Sequence, residues 1–131
     1  VREACRVVRP GGHVVIYVPN RLYCFETHGF YLGKKFVFRL LPFINWFPDP
    51  IRRVLVPHVR AYLTADLRRL WRGLPGRWQH HGYVFPGFDN VVARFPRLGG
   101  ALRRVCYLAE QTPLKVFGLS HFLVVQKIRT V

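Results

Sequence analysis

The chain predicts an α/β fold, and three observations carry that prediction. A helical opening, Val1 to Val8, runs into an Arg9-Pro10-Gly11-Gly12 turn. The turn leads into His13-Val14-Val15-Ile16-Tyr17-Val18-Pro19, a run rich in β-branched residues without polar alternation. Such a strand is expected to be interior, covered by helices on both faces as in a parallel sheet. Helix, glycine turn and buried strand together make half of a β-α-β unit.

The elements follow in order. Val1 to Val8 reads as the last two turns of a helix with no capping residue before it. With no Met in 131 residues, the chain is expected to begin inside an element. Pro10 and the two glycines stop the helix and turn the backbone. From Asn20 to Val59 the pattern is irregular, with Gly29, Gly33, Pro42, Pro48, Pro50 and Pro57 among many aromatics. Short helices are expected at Lys35 to Leu41 and Pro50 to Leu55, and so long a segment reads as a lid or binding insertion.

A clearer helix begins at Thr64-Ala65-Asp66, which supplies capping chemistry. Leu63, Leu67, Leu70 and Trp71 share one face, and Arg68, Arg69 and Arg72 the other. Gly73-Leu74-Pro75-Gly76 ends it. Arg77 to Phe85 alternates as a strand with Trp78, His80, Gly82 and Val84 on one side. A short helix is expected at Val91 to Phe95, and a longer one at Ala101 to Ala109 with Leu102, Val105, Cys106 and Ala109 inward. Ser120 to Ile128 closes the chain as a strand around Phe122-Leu123-Val124-Val125.

Composition sets the limits. Half the residues are hydrophobic and 15% are aromatic, which excludes intrinsic disorder and fits one domain. The greasiest stretch, Phe36 to Phe47, is broken by Arg39 and Pro42 and is too short for a bilayer core of roughly 30 Å. Glu3 and Arg6 stand where the apolar core of a signal peptide would begin. Cys5, Cys24 and Cys106 are odd in number and lack C-x-x-C spacing, so free thiols in a reducing cytoplasm are expected. His80 and His81 are adjacent, which on a strand turns them to opposite faces, and no metal site is expected.

The chemistry concentrates after the first strand. Open parallel sheets bind ligands beyond the carboxyl ends of their strands. There the chain places Asn20, Glu26, Thr27, His28 and Gly29. An amide, a carboxylate and an imidazole together can orient a substrate or move a proton. The same groups can instead satisfy the backbone of their own loop. No G-x-S-x-G is present, and no two glycines are separated by one residue, so a phosphate-cradling G-x-G loop cannot be written.

Lys+Arg 21 against Asp+Glu 6 gives a formal charge of +15. Arg52-Arg53, Arg68-Arg69, Arg72 and Arg103-Arg104 could neutralise nucleic-acid phosphates while aromatics stack on bases. They are scattered over several elements, however, so a solvated basic face is the preferred reading. An anionic membrane surface, met through Phe36 to Phe47, ranks level with nucleic acid.

Arg6-Val7-Val8-Arg9-Pro10-Gly11-Gly12 with the strand from His13 to Pro19 and Asn20 resembles a segment of class I S-adenosylmethionine-dependent methyltransferases of the type 11-like group. The segment is the one leading into that family's fifth strand. His58-Val59-Arg60-Ala61-Tyr62-Leu63-Thr64, followed by Asp66, Leu67 and Leu70, resembles the approach to its next helix. Ser120 to Ile128 is similar to its last strand, which pairs antiparallel in that fold. The resemblance covers the C-terminal half of the family's domain only.

The resemblance implies the C-terminal half of a Rossmann-like sheet, with parallel strands, an antiparallel last strand and helices packed on it. Residues 1–20 would be helix end, turn and buried strand, 21–60 an acceptor-side insertion, and 61–131 helix, strand, helix and last strand. It implies transfer of a methyl group from S-adenosylmethionine, held mostly by the preceding half, to a small-molecule or lipid- or sugar-linked acceptor. Rate would come from positioning acceptor and methyl group in line. Asn20, Glu26, His28 and Tyr62 would bind the acceptor, with His28 or His58 as base and no cofactor or metal ligands in these residues. The 131 residues alone are expected to be inactive. The alternative is a non-enzymatic basic module that binds nucleic acid or an anionic membrane.

Overall fold

The computed structural model describes residues 1–39 and 41–128. In chain order these form α1 (Arg2–Val7), β1 (His13–Pro19), and four short strands, β2 (Phe25–Glu26), β3 (Phe30–Leu32), β4 (Lys35–Val37) and β5 (Leu41–Pro42). There follow α2 (Asp49–Leu55), α3 (Thr64–Leu70), β6 (Gly76–Val84), α4 (Asp89–Arg94), α5 (Pro96–Glu110) and β7 (Ser120–Lys127). The three long strands form one sheet in the order β1-β7-β6.

The sheet corrects the predicted parallel, Rossmann-like architecture. Every strand pair among the described residues is antiparallel, and the one parallel contact is an isolated bridge between Asn20 and Tyr62. The direction is fixed where β7 ends against the Pro-Gly-Gly turn. Gly11 N donates to Lys127 O at 2.8 Å and Lys127 N to Gly12 O at 2.9 Å. The Lys127 ammonium then caps α1, donating to Val8 O at 2.7 Å. Gly11 holds φ +83°, a left-handed conformation that glycine adopts without steric cost. With the end of β7 tied to the start of β1, the two strands run in opposite senses.

β1 is also not interior. Among the described residues it pairs on one edge only, and Val15 and Tyr17 are 60% and 57% exposed. Its other face is the buried one: Val14 and Ile16 pack with Leu123, Val125, Cys5 of α1 and Trp71 after α3. Leu123 and Val125 are fully enclosed because β7 is the central strand. On α3, Leu67 and Trp71 are buried as the spacing requires, while Leu70 is 43% exposed. The Asp66 carboxylate accepts from Leu63 N at 2.9 Å and closes the first turn.

A register shift between Trp78 and His80 places an extra residue, Gln79, in β6. This bulge corrects the predicted alternation: Trp78 joins His81 and Tyr83 on one face, in a chain of ring contacts at 5.5 and 5.0 Å. His80 meets Phe122 on the opposite face. The helix expected at Lys35 to Leu41 is replaced by β4 and β5, with Leu40 outside the described residues. The insertion carries its own small core of Phe30, Ile44 and Val56.

Where β6 meets β7, two histidines touch. His121 is buried, and its Nε2 donates to Tyr62 O at 2.8 Å. Its Nδ1 is therefore the acceptor for His81 Nε2 at 3.1 Å. Burial is the first cause that lowers the pKa of each, and the neighbouring His121, Arg68 and His80 lower His81 further. In the unfolded chain both protonate near pH 6.5. The unfolded state thus binds more protons below about pH 6.5, and the stability present above that pH is lost as pH falls. Urea unfolding at about pH 5.5 is expected to show a lower midpoint than at pH 7.5, with a smaller difference in His81→Gln.

Candidate functional site

Beyond Pro19 the backbone leaves the sheet through Asn20, which is buried. Its Nδ2 donates to Val116 O and Gly118 O, both at 2.7 Å, and its Oδ1 accepts from Leu22 N at 3.1 Å. These bonds engage the whole amide, so Asn20 holds the insertion to the loop before β7. Tyr62 returns the chain to the same point: Tyr62 N donates to Pro19 O and Arg21 N to Tyr62 O, each at 3.0 Å.

Glu26 lies at the centre of the insertion with its side chain 2% exposed. Oε1 accepts from His28 N at 2.9 Å and faces His28 Nδ1 at 3.0 Å. A carboxylate is acceptor-only, so Nδ1 carries the proton and Nε2 the lone pair. His28 Nε2 has no hydrogen-bond partner among the described residues, and the side chain is 44% exposed. The loop can make this turn because Gly29 holds φ +82°, and a Cβ there would sit 2.7 Å from the Phe36 ring. Asn20, Glu26 and His28 therefore meet around one very small cavity, together with Tyr23 and Asn45. Burial pushes the Tyr23 phenol up to about 12, so it stays protonated.

Sequence reasoning missed the cation beneath this site. Arg52 of α2 is buried, with NH2 at 3.6 Å from Glu26 Oε2, Nε donating to Asn45 Oδ1 at 3.3 Å and NH1 to Val59 O at 3.0 Å. Burial, the largest influence, lowers the Arg52 pKa, opposed by the Glu26 charge. Asn45 in turn donates to Phe25 O at 3.1 Å. The signal was spacing: Arg52 and Val56 lie four residues apart and are both buried, the face of one helical turn.

The remaining candidates, His58 and Tyr62, do not line the small cavity. His58 is exposed, meets His28 O through Nε2 at 3.3 Å, and lies edge-on to Tyr31 and Phe36. The Tyr62 side chain lines a separate, larger cleft that also takes in Arg21 and Arg52. No group of three metal-ligating side chains occurs among the described residues, and no described helix is long and apolar enough to cross a membrane.

The residues present do not fit S-adenosylmethionine. A ribose diol is held by a free carboxylate in dinucleotide-type sites, and all six carboxylates here have internal partners. Glu3 pairs with Arg6, Asp49 with Arg21, Asp89 with Arg103, and Glu26 with His28 and Arg52. Asp66 and Glu110 accept from Leu63 N and Phe85 N. Comparison with protein-family models, curated proteins and solved structures gave no match.

The buried pair has a stability consequence. Glu26→Gln leaves the Arg52 charge enclosed without a counter-ion, a change that costs about 3–5 kcal/mol. Denaturant unfolding is expected to show that loss, and Arg52→Met in the same chain is expected to restore part of it.

Proposed function

We propose that this chain is the acceptor-binding portion of a methyltransferase that takes its methyl group from S-adenosylmethionine, with the cofactor held by residues outside it. The observation that carries the reading is the Glu26–His28 pair in the loop after β1. The buried carboxylate fixes the ring and its tautomer, and the free Nε2 is left to accept a proton from a hydroxyl or amine of the acceptor. As that proton arrives, the Glu26 charge stabilises the imidazolium. The Arg6-to-Asn20 resemblance supports the same class. Asn20 and Tyr62 hold the loop by their backbone-directed bonds. Substrate selection then falls to side chains bordering Tyr62 and His28.

In calorimetry, the 131-residue chain is expected to show no measurable S-adenosylmethionine binding. A longer polypeptide that adds a strand and G-x-G loop ahead of it is expected to bind the cofactor. In that protein His28→Gln should lower turnover by roughly 10²–10⁴-fold at unchanged cofactor affinity. Micromolar binding to the 131 residues alone would refute the placement of the cofactor.

One further observation favours a peripheral membrane contact. Phe36, Phe38, Phe43, Trp46 and Phe47 are all at least two-fifths exposed, beside Lys34, Lys35 and Arg39. Aromatic and basic residues together suit the interface of an anionic bilayer, which is where a lipid-linked acceptor would be presented. Cosedimentation with vesicles containing about 30% phosphatidylserine is expected, weakened by Phe38→Ser with Trp46→Ser and absent with neutral vesicles.

A further inference from the structure

A cleft of about 580 Å³ opens between α2, the Pro57 to Tyr62 segment and α3. Arg21, Arg52, Arg53, Arg60 and Arg69 line it, against the two carboxylates of Asp49 and Asp66. Both anions are already engaged. Asp49 Oδ1 accepts from Arg21 NH1 at 2.6 Å, and Asp66 Oδ2 from Leu63 N at 2.9 Å. Arg53, Arg60 and Arg69 form no ion pair among the described residues. The cleft thus keeps a surplus of three positive charges.

A second, independent feature lies in its wall. Arg52 is 6% exposed, and among the described residues its NH2 group has no hydrogen-bond acceptor, the 3.6 Å to Glu26 Oε2 being too long for one. A buried donor without an acceptor is costly, and the nearest anion to this one is the enclosed Glu26 carboxylate, so Arg52 holds its charge at the cleft wall.

We propose that this cleft binds the phosphate or diphosphate group of a small ligand. All five lining cations are arginine, whose planar forks bond several oxygens of one anion at once; lysine is absent from the lining. The volume is that of a small-molecule site, and its concavity suits a compact headgroup better than a nucleic-acid duplex. Arg52 joins the cleft to the buried Glu26 that holds His28. Naming this anion as the handle of the methyl acceptor rests on the proposed function; anion binding itself does not.

The test is calorimetry of the 131-residue chain with inorganic pyrophosphate, alongside Arg60→Gln/Arg69→Gln. Both side chains are exposed, so the double variant is expected to fold. One-to-one binding is expected, weakened at least ~10-fold by the double variant. A control with the same charge loss on α5, Arg97→Gln/Arg104→Gln, should keep the original affinity. Vesicles containing phosphatidic acid locate the source. Capture that needs Arg60 and Arg69 and is reversed by pyrophosphate assigns the site to a lipid headgroup, whereas pyrophosphate binding without capture assigns it to a soluble ligand. Equal weakening by the two double variants, no pyrophosphate binding, or a DNA duplex that binds more tightly and displaces pyrophosphate would each overturn the proposal. Because S-adenosylmethionine is absent from these measurements, they stand or fall apart from the methyl-transfer reading.

Discussion

With six carboxylates against 21 lysines and arginines, this chain cannot neutralise itself, so the placement of its few anions decides its organisation. Five of them lie at the surface or in caps. Glu26 alone is carried fully inside. That burial is tolerable only because the His28 amide and ring and the Arg52 guanidinium converge on it. The guanidinium then reaches Asn45 and Val59 O, and Asn45 the Phe25 carbonyl. One buried charge therefore orders a segment with very little regular structure, whose apolar core amounts to Phe30, Ile44 and Val56.

The insertion is joined to the sheet by an equally compact device. Asn20 leaves β1 and Tyr62 returns to it, and the two form a parallel bridge at the strand's end. The Tyr62 carbonyl takes bonds from both Arg21 N and the buried His121. His121 keeps its other nitrogen for His81, so the neck of the insertion is built on a residue of the central strand. This arrangement requires a neutral His121, whose Nδ1 must keep its lone pair to accept from His81. It places a pH-sensitive pair under the segment that positions Glu26 and His28. A site held this way inherits its geometry from the sheet, despite lying in loops.

Much of the local structure was legible because period and propensity are local properties. β1, β7, α2 and α3 lie where their patterns put them, and Asn20, Glu26 and His28 do surround one cavity. Strand direction was not legible. The run from Val14 to Val18 records a demand for burial but not which neighbour meets it. The answer lay in contacts between residues more than a hundred positions apart, Gly11 and Gly12 with Lys127. The bulge at Gln79 escaped for a related reason: one inserted residue inverts the faces of everything before it while leaving composition untouched. The burial of Arg52 is not legible in the sequence because arginine is seldom enclosed; here the Glu26 carboxylate, Asn45 and the Val59 carbonyl make the exception tolerable.

The open face of the sheet sets apolar attraction against the chain's charge. Val15 and Tyr17 are exposed on a strand that is paired along one edge, and α5 leaves Leu98, Val105 and Leu108 largely uncovered. Surfaces of this kind favour association between copies. A charge of +15 on each copy opposes it, since every approach brings like fields together. The opposition is electrostatic and so weakens with salt over a Debye length of about 8–10 Å near physiological ionic strength, whereas the apolar attraction does not. An anion seated among the cleft arginines would act in the same direction as salt, but locally and by stoichiometric neutralisation. The excess of arginine thus acts differently on the insertion and the sheet: where it is concentrated it offers an anion a recognition site, and where it is dispersed it opposes contact between exposed apolar faces.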